Sequence, residues 1–251
     1  MRLHAIACDV LARPVYLCAA RSPHVVDLTL LRRGLHDDPR ELRETLQGVI
    51  DGLPDRYDAV VLGYGLCGGA AAGIEARGIP VVLPRAHDCI TLFLGARERY
   101  AAETEDRPAT YWYVRDQLER PYLTTDGKRL GGLGVGGEPD DDLDAIRADY
   151  VAKYGEDNAD YLMEVFGAWR SRYGRGAFIA MGIADESGDE VVTREQADSR
   201  GWAYERVEGN LVLVRRLLDG DWGEDMLILQ PGERLAMSYD EQVVKAVPAA
   251  G

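Results

Sequence analysis

The sequence predicts an α/β protein of Rossmann-like, three-layer architecture, with a mostly parallel sheet and two βα-rich halves. The first observation is a pair of short apolar runs at 59–62 and 79–83. Both are rich in β-branched residues and bounded by turn residues, as is typical of buried strands. The second is the alanine- and glycine-rich segment 68–78 between them, which is long enough for the crossover helix of a parallel pair. The third is that the second half of the chain repeats the alternation of strand and helix.

The remaining elements follow from apolar periodicity and turn signals. The clearest helix is predicted over 39–53, where apolar residues recur at helical spacing between an N-cap candidate at Asp38 and the breaker Gly52. Pro14 is interpreted as part of a linker, and 231–251 as a turn followed by a loose tail. Further strands are predicted at 3–8, 25–31, 109–114, 177–183, 202–207 and 226–229, and further helices at 193–199 and 211–218.

A glycine- and aspartate-rich stretch predicts where the chain divides. Residues 1–123 form an N-terminal α/β half that carries a cysteine and histidine cluster, and 124–144 form a loop or lid. Residues 145–251 form a helical segment followed by a second α/β half. A single continuous domain is the alternative, because 251 residues fit either arrangement.

Composition limits the classes of partner and the compartment. The net charge of -14 argues against a nucleic-acid backbone or an anionic membrane as the main partner. The first apolar run is short and meets Asp9, so it predicts a strand and not a signal peptide. We therefore expect a cytoplasmic protein whose four cysteines are reduced, where cysteines serve metal binding or catalysis more often than disulfides.

The chemistry of the chain is concentrated after the predicted strands. Cys8 ends the first strand, Cys67 follows the strand at 59–62, and His87 and Cys89 follow the strand at 79–83. The carboxyl ends of parallel strands meet at one edge, where ligands bind in open α/β sheets. Thiolates and imidazoles are ligands that zinc prefers, so we expect a zinc site of three thiolates, with His87 as a fourth ligand or as an acid/base. The alternative is that the cysteines are small buried hydrophobic residues, which is how Cys18 is interpreted.

Three neighbouring features extend this site. Arg85 is expected to bind a carboxylate or phosphate, with a surface salt bridge as the alternative. For Tyr64, core packing is favoured over donation of its hydroxyl to a ligand, and both interpretations are kept. Asp88 and Cys89 are expected to start a helix whose N-terminus favours anions and lowers the pKa of the Cys89 thiol. Four glycines would let a cofactor approach the backbone closely: Gly63, Gly65, Gly68 and Gly69.

Three motifs carry a family resemblance. LGYGLCGG, PRAHDCITLFLGARERY and TYWY closely resemble the bacterial and archaeal family catalogued as domain of unknown function 1638. Gly69 departs from that pattern, which has Asn at this position. The resemblance implies an association with corrinoid-dependent methyl-transfer metabolism, and hence a corrinoid protein or a methyltransferase as partner. His87-Asp88-Cys89 together with the distant Cys67 is also similar to the His-x-Cys plus Cys site of zinc methyltransferases.

These observations lead to one expected function and two alternatives. We expect a metal-dependent enzyme, with zinc as the metal, that acts on a small molecule, and methyl or alkyl transfer is the narrowest expectation. The catalytic residues would be His87, Arg85 and Tyr64, and the metal ligands would be Cys8, Cys67, Cys89 and His87. The first alternative is a non-catalytic accessory protein that binds a metal or cofactor for a methyltransferase system. The second is a metal-free racemase or transferase that uses two cysteines.

Overall fold

A computed structural model gives the fold of most of the chain. It describes residues 1–105, 107, 109–120, 147–148, 150–152, 155–170 and 173–249. The strands are β1 (Arg2–Cys8), β2 (Val25–Leu31), β3 (Ala59–Gly63), β4 (Val81–Pro84), β5 (Ala109–Tyr113), β6 (Tyr173–Ala180), β7 (Ala203–Glu208), β8 (Met226–Leu229), β9 (Glu233–Met237) and β10 (Val244–Pro248). The helices are α1 (Ala12–Arg21), α2 (Pro39–Asp51), α3 (Cys89–Leu94), α4 (Arg97–Thr104), α5 (Arg115–Glu119), α6 (Glu156–Arg170), α7 (Ser187–Ser199) and α8 (Val212–Leu218).

The chain divides into two compact units. The first consists of Met1–Ala102, Met181–Ala184 and Glu208–Gly251, and the second of Glu103–Ala180 and Asp185–Val207. The predicted lid at 124–144 lies outside the described residues, so the division into 1–123, 124–144 and 145–251 stays a prediction. Both units combine helices with sheets in which parallel pairs dominate, so the protein is mixed α/β.

The first unit is built on a five-stranded sheet in the order β2-β1-β3-β4-β8. The first four strands are parallel and β8 is antiparallel to β4. The chain leaves β1 toward β2 on one side and returns to β3 on the other, so the direction of the connections changes between β1 and β3. In open α/β sheets, this switch point opens a crevice at the carboxyl ends of the strands. Ala7 pairs with Gly63 there, so β1 and β3 end at the same level.

Helix α2 shows how local sequence fixes an element of this unit. The Asp38 carboxylate accepts hydrogen bonds from the backbone N–H groups of Arg40 at 2.9 Å and Glu41 at 3.1 Å. An N-cap of this kind contributes about 1 kcal/mol. Pro39 fits the first turn because its missing N–H would have no partner there. The buried residues recur at helical spacing on one face: Leu42, Leu46 and Ile50.

Three predictions about this unit were wrong. The segment around Pro14 is the first turn of α1 and not a linker, because proline is tolerated there. Segment 68–78 starts in a single 3-10 turn, Cys67–Gly69, and continues as turns and a loop, so the predicted crossover helix is not formed. The predicted loose tail forms the β9–β10 hairpin, and Leu235 in β9 bonds to the same segment: it accepts from Gly73 N–H at 2.8 Å and donates to the Ile74 carbonyl at 2.7 Å. The backbone groups that the predicted helix would have satisfied internally therefore pair with β9.

The second unit holds the sheet β5-β6-β7. Strands β5 and β6 are parallel, as Tyr111 opposite Gly176 shows. Its buried core is largely aromatic: Tyr111, Tyr113, Phe178 and Ala180. Arg175 is buried and forms ion pairs with Glu103 and Glu205, each at 2.7 Å. In the part of the chain that the structure describes, no helix has the length and apolar character needed to cross a membrane.

Candidate functional site

Three thiols lie at the carboxyl ends of neighbouring strands in the first unit. Cys8 is the last residue of β1, Cys67 opens a tight turn that follows β3, and Cys89 is the first residue of α3, just beyond β4. Burial has the largest effect on the pKa of Cys67, and a charge on Cys8 raises it further. Burial also has the largest effect on the pKa of Cys89, and charges on Asp88, Cys67 and Cys8 raise it further. The three thiols therefore influence one another's ionisation at the carboxyl edge of the sheet.

Burial is the main reason that these thiols resist ionisation. It raises the pKa of Cys8 and of Cys67 from an ordinary 9.0 to about 12 each, and it raises the pKa of Cys89 well above 9.0. The expectation that α3 lowers the pKa of Cys89 was wrong, because this helix has only 6 residues and the buried Asp88 carboxylate reinforces the effect of burial. The thiols stay neutral at neutral pH unless a positive charge joins them.

Backbone N–H groups oppose this effect of burial at the sulfur atoms. At Cys8, the N–H groups of Val10 and Asp9 lower a pKa that burial raises. At Cys67, the N–H of Gly65 does the same. A thiolate accepts such hydrogen bonds better than a neutral thiol does, so these N–H groups offset part of the effect of burial.

The loops that carry Cys67 and Cys89 are joined by backbone hydrogen bonds. The N–H of Leu66 donates to the Ala86 carbonyl, and the N–H of Cys67 donates to the His87 carbonyl, both at 2.8 Å. Cys67 has φ 49, in the left-handed region that is uncommon for a residue with a side chain. Such a conformation costs about 1–3 kcal/mol and persists only when neighbouring contacts impose it.

The glycines of the first loop permit close packing of the chain. A Cβ atom at Gly63 would lie 2.7 Å from the Cβ of Ala7, and one at Gly65 would lie 2.7 Å from the Cα of Asp88. These two glycines therefore bring β1, β3 and the second loop together. Their predicted contact with a cofactor stays a prediction, as it does for the two glycines of the following turn: Gly68 (φ 65) and Gly69 (φ 97).

Tyr64 places a hydroxyl beside the thiols. The residue is 3% exposed, and its Oη is buried without a hydrogen-bond partner among the described residues. Burial raises the pKa of Tyr64 well above its ordinary 10.0, and Cys8, Cys67, Asp9 and Cys89 add to that rise in this order. The hydroxyl is therefore surrounded by groups that become anionic when they ionise.

The His87 ring takes a different position from the thiols. It is exposed and stacks on Tyr100, with 6.1 Å between the ring centroids. Between His87 and Cys89, the Asp88 carboxylate caps α3 by accepting from the N–H groups of Ile90 at 3.0 Å and Thr91 at 3.3 Å. It also accepts from the Tyr100 hydroxyl at 3.1 Å, and burial raises its pKa. His87 and Tyr100 therefore form an accessible rim beside the thiols.

Arg85 is engaged by the C-terminal hairpin. Its Nη1 donates to the carbonyl of Val244 at 2.5 Å and to that of Gln242 at 3.3 Å. Burial and the nearby positive charge of Arg97 lower its pKa. The two hydrogen bonds from Arg85 therefore hold the backbone at the start of β10. The predicted contact between Arg85 and a ligand stays a prediction.

The sequence analysis missed one charged residue at this edge. Arg33 lies two residues after β2 and is 4% exposed. Its charge lowers the pKa of Cys8 against the larger opposing effect of burial. The rule that singled out the thiols, a functional group shortly after a predicted strand, also covers Arg33 after the strand at 25–31 and could have identified it.

The side chains are close but do not form a ready ligand set. Among the residues that the structure describes, no three His, Cys, Asp or Glu side chains are grouped so that they could hold a metal ion. The fold and the site thus define a mixed α/β protein with one buried and two half-buried cysteines at the carboxyl edge of a parallel sheet.

The chain belongs to the family described as "Protein of unknown function (DUF1638)", whose sequence model matches residues 30–218. This confirms the family predicted from the motifs. The matched range contains Cys67, His87 and Cys89, whereas Cys8 precedes it. A search of curated proteins and a search of solved structures found no match to the chain.

Proposed function

We propose that this protein is a zinc-dependent enzyme that acts on a small molecule. One observation supports the proposal: three cysteines follow three neighbouring strands at the carboxyl edge of the sheet, and the Tyr64 hydroxyl after β3 is buried with no hydrogen-bond partner among the described residues. A thiol that is removed from water is costly to ionise alone, whereas several thiolates together suit a cation such as zinc.

The electrostatics of the site fit a metal ion. The groups that raise the pKa of Cys89, after burial, are the acidic neighbours Asp88, Cys67 and Cys8, so ionisation of the cluster requires an added positive charge. Backbone N–H groups already point toward the sulfurs of Cys8 and Cys67. A zinc ion would be held by the sulfur atoms of Cys8, Cys67 and Cys89, and it would supply Lewis acidity or a stabilised thiolate.

The exposed residues at the edge of the site indicate how it would act on a substrate. The exposed His87 ring is available as an acid/base, and its stacking on Tyr100 orients it.

Methyl or alkyl transfer to a thiol is the proposed reaction class: the bond from carbon to the leaving amine breaks, a bond from carbon to sulfur forms, and the amine keeps the electron pair. A corrinoid protein or a methyltransferase as partner rests on the family resemblance alone.

The proposal includes the architecture and the compartment. A Rossmann-like, three-layer arrangement of the first unit would cover both faces of the sheet and leave its carboxyl edge open for the ligand, and the strand order around β1 supports it. A cytoplasmic location would keep the thiols reduced and able to bind metal.

Metal content tests the central claim. Protein purified under reducing conditions with zinc in the medium should contain about one zinc atom per chain, since three thiolates form one site. Cys67→Ser should lose it. Cys18→Ser is the matched control, because Cys18 is a buried cysteine in α1 whose pKa is raised by burial and by Asp219, and none of the three site thiols is among the causes. Wild-type protein that takes up no zinc, or a Cys67→Ser variant that keeps it, would refute the proposal.

A further inference from the structure

Strand β2 is a long and regular edge strand. Among the described residues its only strand neighbour is β1, and its seven residues pair with β1 in continuous register from Val25 to Leu31. Proteins usually protect such an edge with a short strand, a bulge, proline or several charges, because its free N–H and C=O groups invite pairing. β2 contains no bulge and no proline, and its one charged residue is Asp27. Its outer side is therefore open to another strand.

The opposite edge of the same sheet is built differently. β8 has only four residues, it is antiparallel to β4, and β10 of the C-terminal hairpin contacts it. A short edge strand with a neighbouring hairpin offers little length for pairing with another chain. The long outer side of β2 is therefore the edge at which this sheet can be extended.

Alternate residues of β2 direct their backbone groups outward. The N–H of Val25 donates to the Met1 carbonyl at 3.1 Å, on the side of β1. Successive residues of a strand direct these groups to opposite sides, so every second residue after Val25 also bonds to β1. The residues between them direct their N–H and C=O groups away from β1: Val26, Leu28 and Leu30.

The side chains of β2 are mostly apolar, but none of them is buried. Five of the seven residues are Val or Leu, Val25 is 53% exposed, and the other six residues are half-buried. In contrast, every residue of β3 is buried. Burial of apolar surface is the main favourable term in most protein association. A strand on the outer side of β2 would therefore gain apolar contacts as well as hydrogen bonds.

We propose that β2 pairs with β2 of a second copy of this chain, antiparallel and around a two-fold axis at Leu28. The outward-facing N–H and C=O groups of the two strands then bond to each other, and the two five-stranded sheets join into one. The residues that face each other across the axis are Leu28 and Leu28, Val26 and Leu30, Val25 and Leu31, and Asp27 and Thr29. The strand is therefore its own complement, because apolar residues face apolar ones and the carboxylate faces a hydroxyl.

The neighbouring registers are less favourable. An axis at Asp27 would set two carboxylates directly opposite each other, which is destabilising. An axis at Thr29 would set Asp27 against Leu31. Each of these registers also leaves two residues of β2 unpaired, whereas the axis at Leu28 pairs all seven. This self-complementary register favours a second copy over an unrelated strand as the partner.

Sedimentation equilibrium of the purified full-length chain tests the proposal. Wild-type protein at micromolar concentration should have twice the chain mass of 27.7 kDa. Leu28→Lys sets two ammonium groups opposite each other at the axis, so it should be monomeric at the same concentration. The matched control is Val191→Lys, which adds the same charge at a 55% exposed valine of α7 and should stay dimeric.

A second variant is used if Leu28→Lys does not fold, as judged by far-ultraviolet circular dichroism. Val26→Pro removes an outward-facing N–H and keeps every N–H that bonds to β1, and it should also be monomeric. A dimeric wild-type protein whose folded variants stay dimeric would overturn the proposal. A monomeric wild-type protein would overturn it in favour of an extended segment of another protein. None of these measurements depends on the proposed zinc site.

Cysteine cross-linking tests the register. Val25 and Leu31 face each other as a pair without mutual backbone hydrogen bonds, in which Cα atoms approach to about 4.5 Å and disulfides can form. A mixture of Val25→Cys and Leu31→Cys should give a covalent dimer on mild oxidation, measured by non-reducing electrophoresis. Neither variant alone should exceed the wild-type background, because identical positions lie six residues apart along the strands. Cross-linking of either variant alone, or none in the mixture, would overturn the proposal.

Discussion

The backbone N–H of Cys67 donates to the carbonyl oxygen of His87 at 2.8 Å, and this bond joins the two loops of the candidate site. It forms although Cys67 adopts φ 49, a conformation that is unfavourable for a residue with a side chain. The bond therefore holds the Cys67 thiol in a position that the local sequence does not favour. Backbone strain at such a residue is an observation that often accompanies a functional site.

Gly65→Ala should separate the two loops. The new methyl group would lie 2.7 Å from both the Cα and the N of Asp88, and backbone atoms cannot move aside as a flexible side chain can. We expect a loss of about 1–3 kcal/mol in the free energy of unfolding, as for other overpacked positions, together with a lower zinc content. Urea denaturation and metal analysis measure the two effects.

Gly48→Ala is the matched control for that substitution. Gly48 lies inside α2 and an added Cβ would meet nothing within 4 Å. Replacement by alanine should raise the free energy of unfolding by about 0.5–1 kcal/mol, because alanine loses less conformational freedom in a helix. If both alanine substitutions changed the free energy of unfolding equally, then the close approach of Gly65 to Asp88 would not restrict the side chain at position 65.

Cys67→Gly and Cys67→Ala should differ in stability although neither has a thiol. Glycine adopts the left-handed conformation at position 67 without the steric cost that a Cβ atom brings. We expect metal-free Cys67→Gly to be more stable than metal-free Cys67→Ala by about 1 kcal/mol, measured by urea denaturation. If alanine is equally stable at this position, then the wild-type backbone is not strained there.

The sequence rules succeeded where the signal was local and regular. Strands β1 and β3 were predicted within one or two residues because their apolar runs end at clear turn residues. The rule that functional groups follow the carboxyl ends of parallel strands then selected Cys8 and Cys67. The charge of Cys8 does influence the ionisation of Cys67, while their role as metal ligands stays a prediction.

The rules failed where partners distant in the sequence decide the structure. Segment 68–78 resembles a helix in composition, but its backbone pairs with Leu235, more than 150 residues later. His87 was expected to join Cys89 as a fourth ligand or as an acid/base. Cys89 begins α3, as predicted, and the His87 ring lies on the exposed rim.

Arg85→Ala should loosen the C-terminal hairpin. Its guanidinium donates to the Val244 and Gln242 carbonyls, and hydrogen bonds from charged groups contribute about 1.5–3 kcal/mol each. We expect faster hydrogen exchange of the amides in β10, with an unchanged zinc content. Arg40→Ala is the control, because Arg40 is exposed and its ion pair with Glu44 spans one turn of α2, away from the hairpin.

That measurement also separates two roles of Arg85. A protein whose β10 exchange is unchanged, but which binds an anionic substrate more weakly, would have Arg85 as a ligand-binding residue in accordance with the sequence analysis. Faster exchange in β10 with unchanged substrate binding would assign Arg85 to the hairpin alone.

His4 should make the stability of the protein depend on pH. Its Nε2 lies 2.9 Å from the Thr29 hydroxyl, while its Nδ1 is buried and has no hydrogen-bond partner among the described residues. Burial lowers the pKa of His4 below the ordinary 6.5, against the raising effect of Asp27 and with a small lowering effect of Arg56. A charged imidazole would need an acceptor at Nδ1, so the folded protein favours the neutral ring.

The sign of the effect follows from the two pKa values of His4. Above pH 6.5 the ring is neutral in both the folded and the unfolded chain, so its contribution to stability is fully present. As the pH falls below 6.5, the unfolded chain takes up a proton first, and the free energy of unfolding decreases until the pH reaches the lowered pKa of the folded state. His4→Gln keeps an amide nitrogen near Thr29 and cannot ionise. Urea denaturation of the metal-free proteins at a series of pH values should therefore show a decline for wild type that is smaller in the variant. Two curves that stay parallel through this window would show that His4 titrates alike in both states.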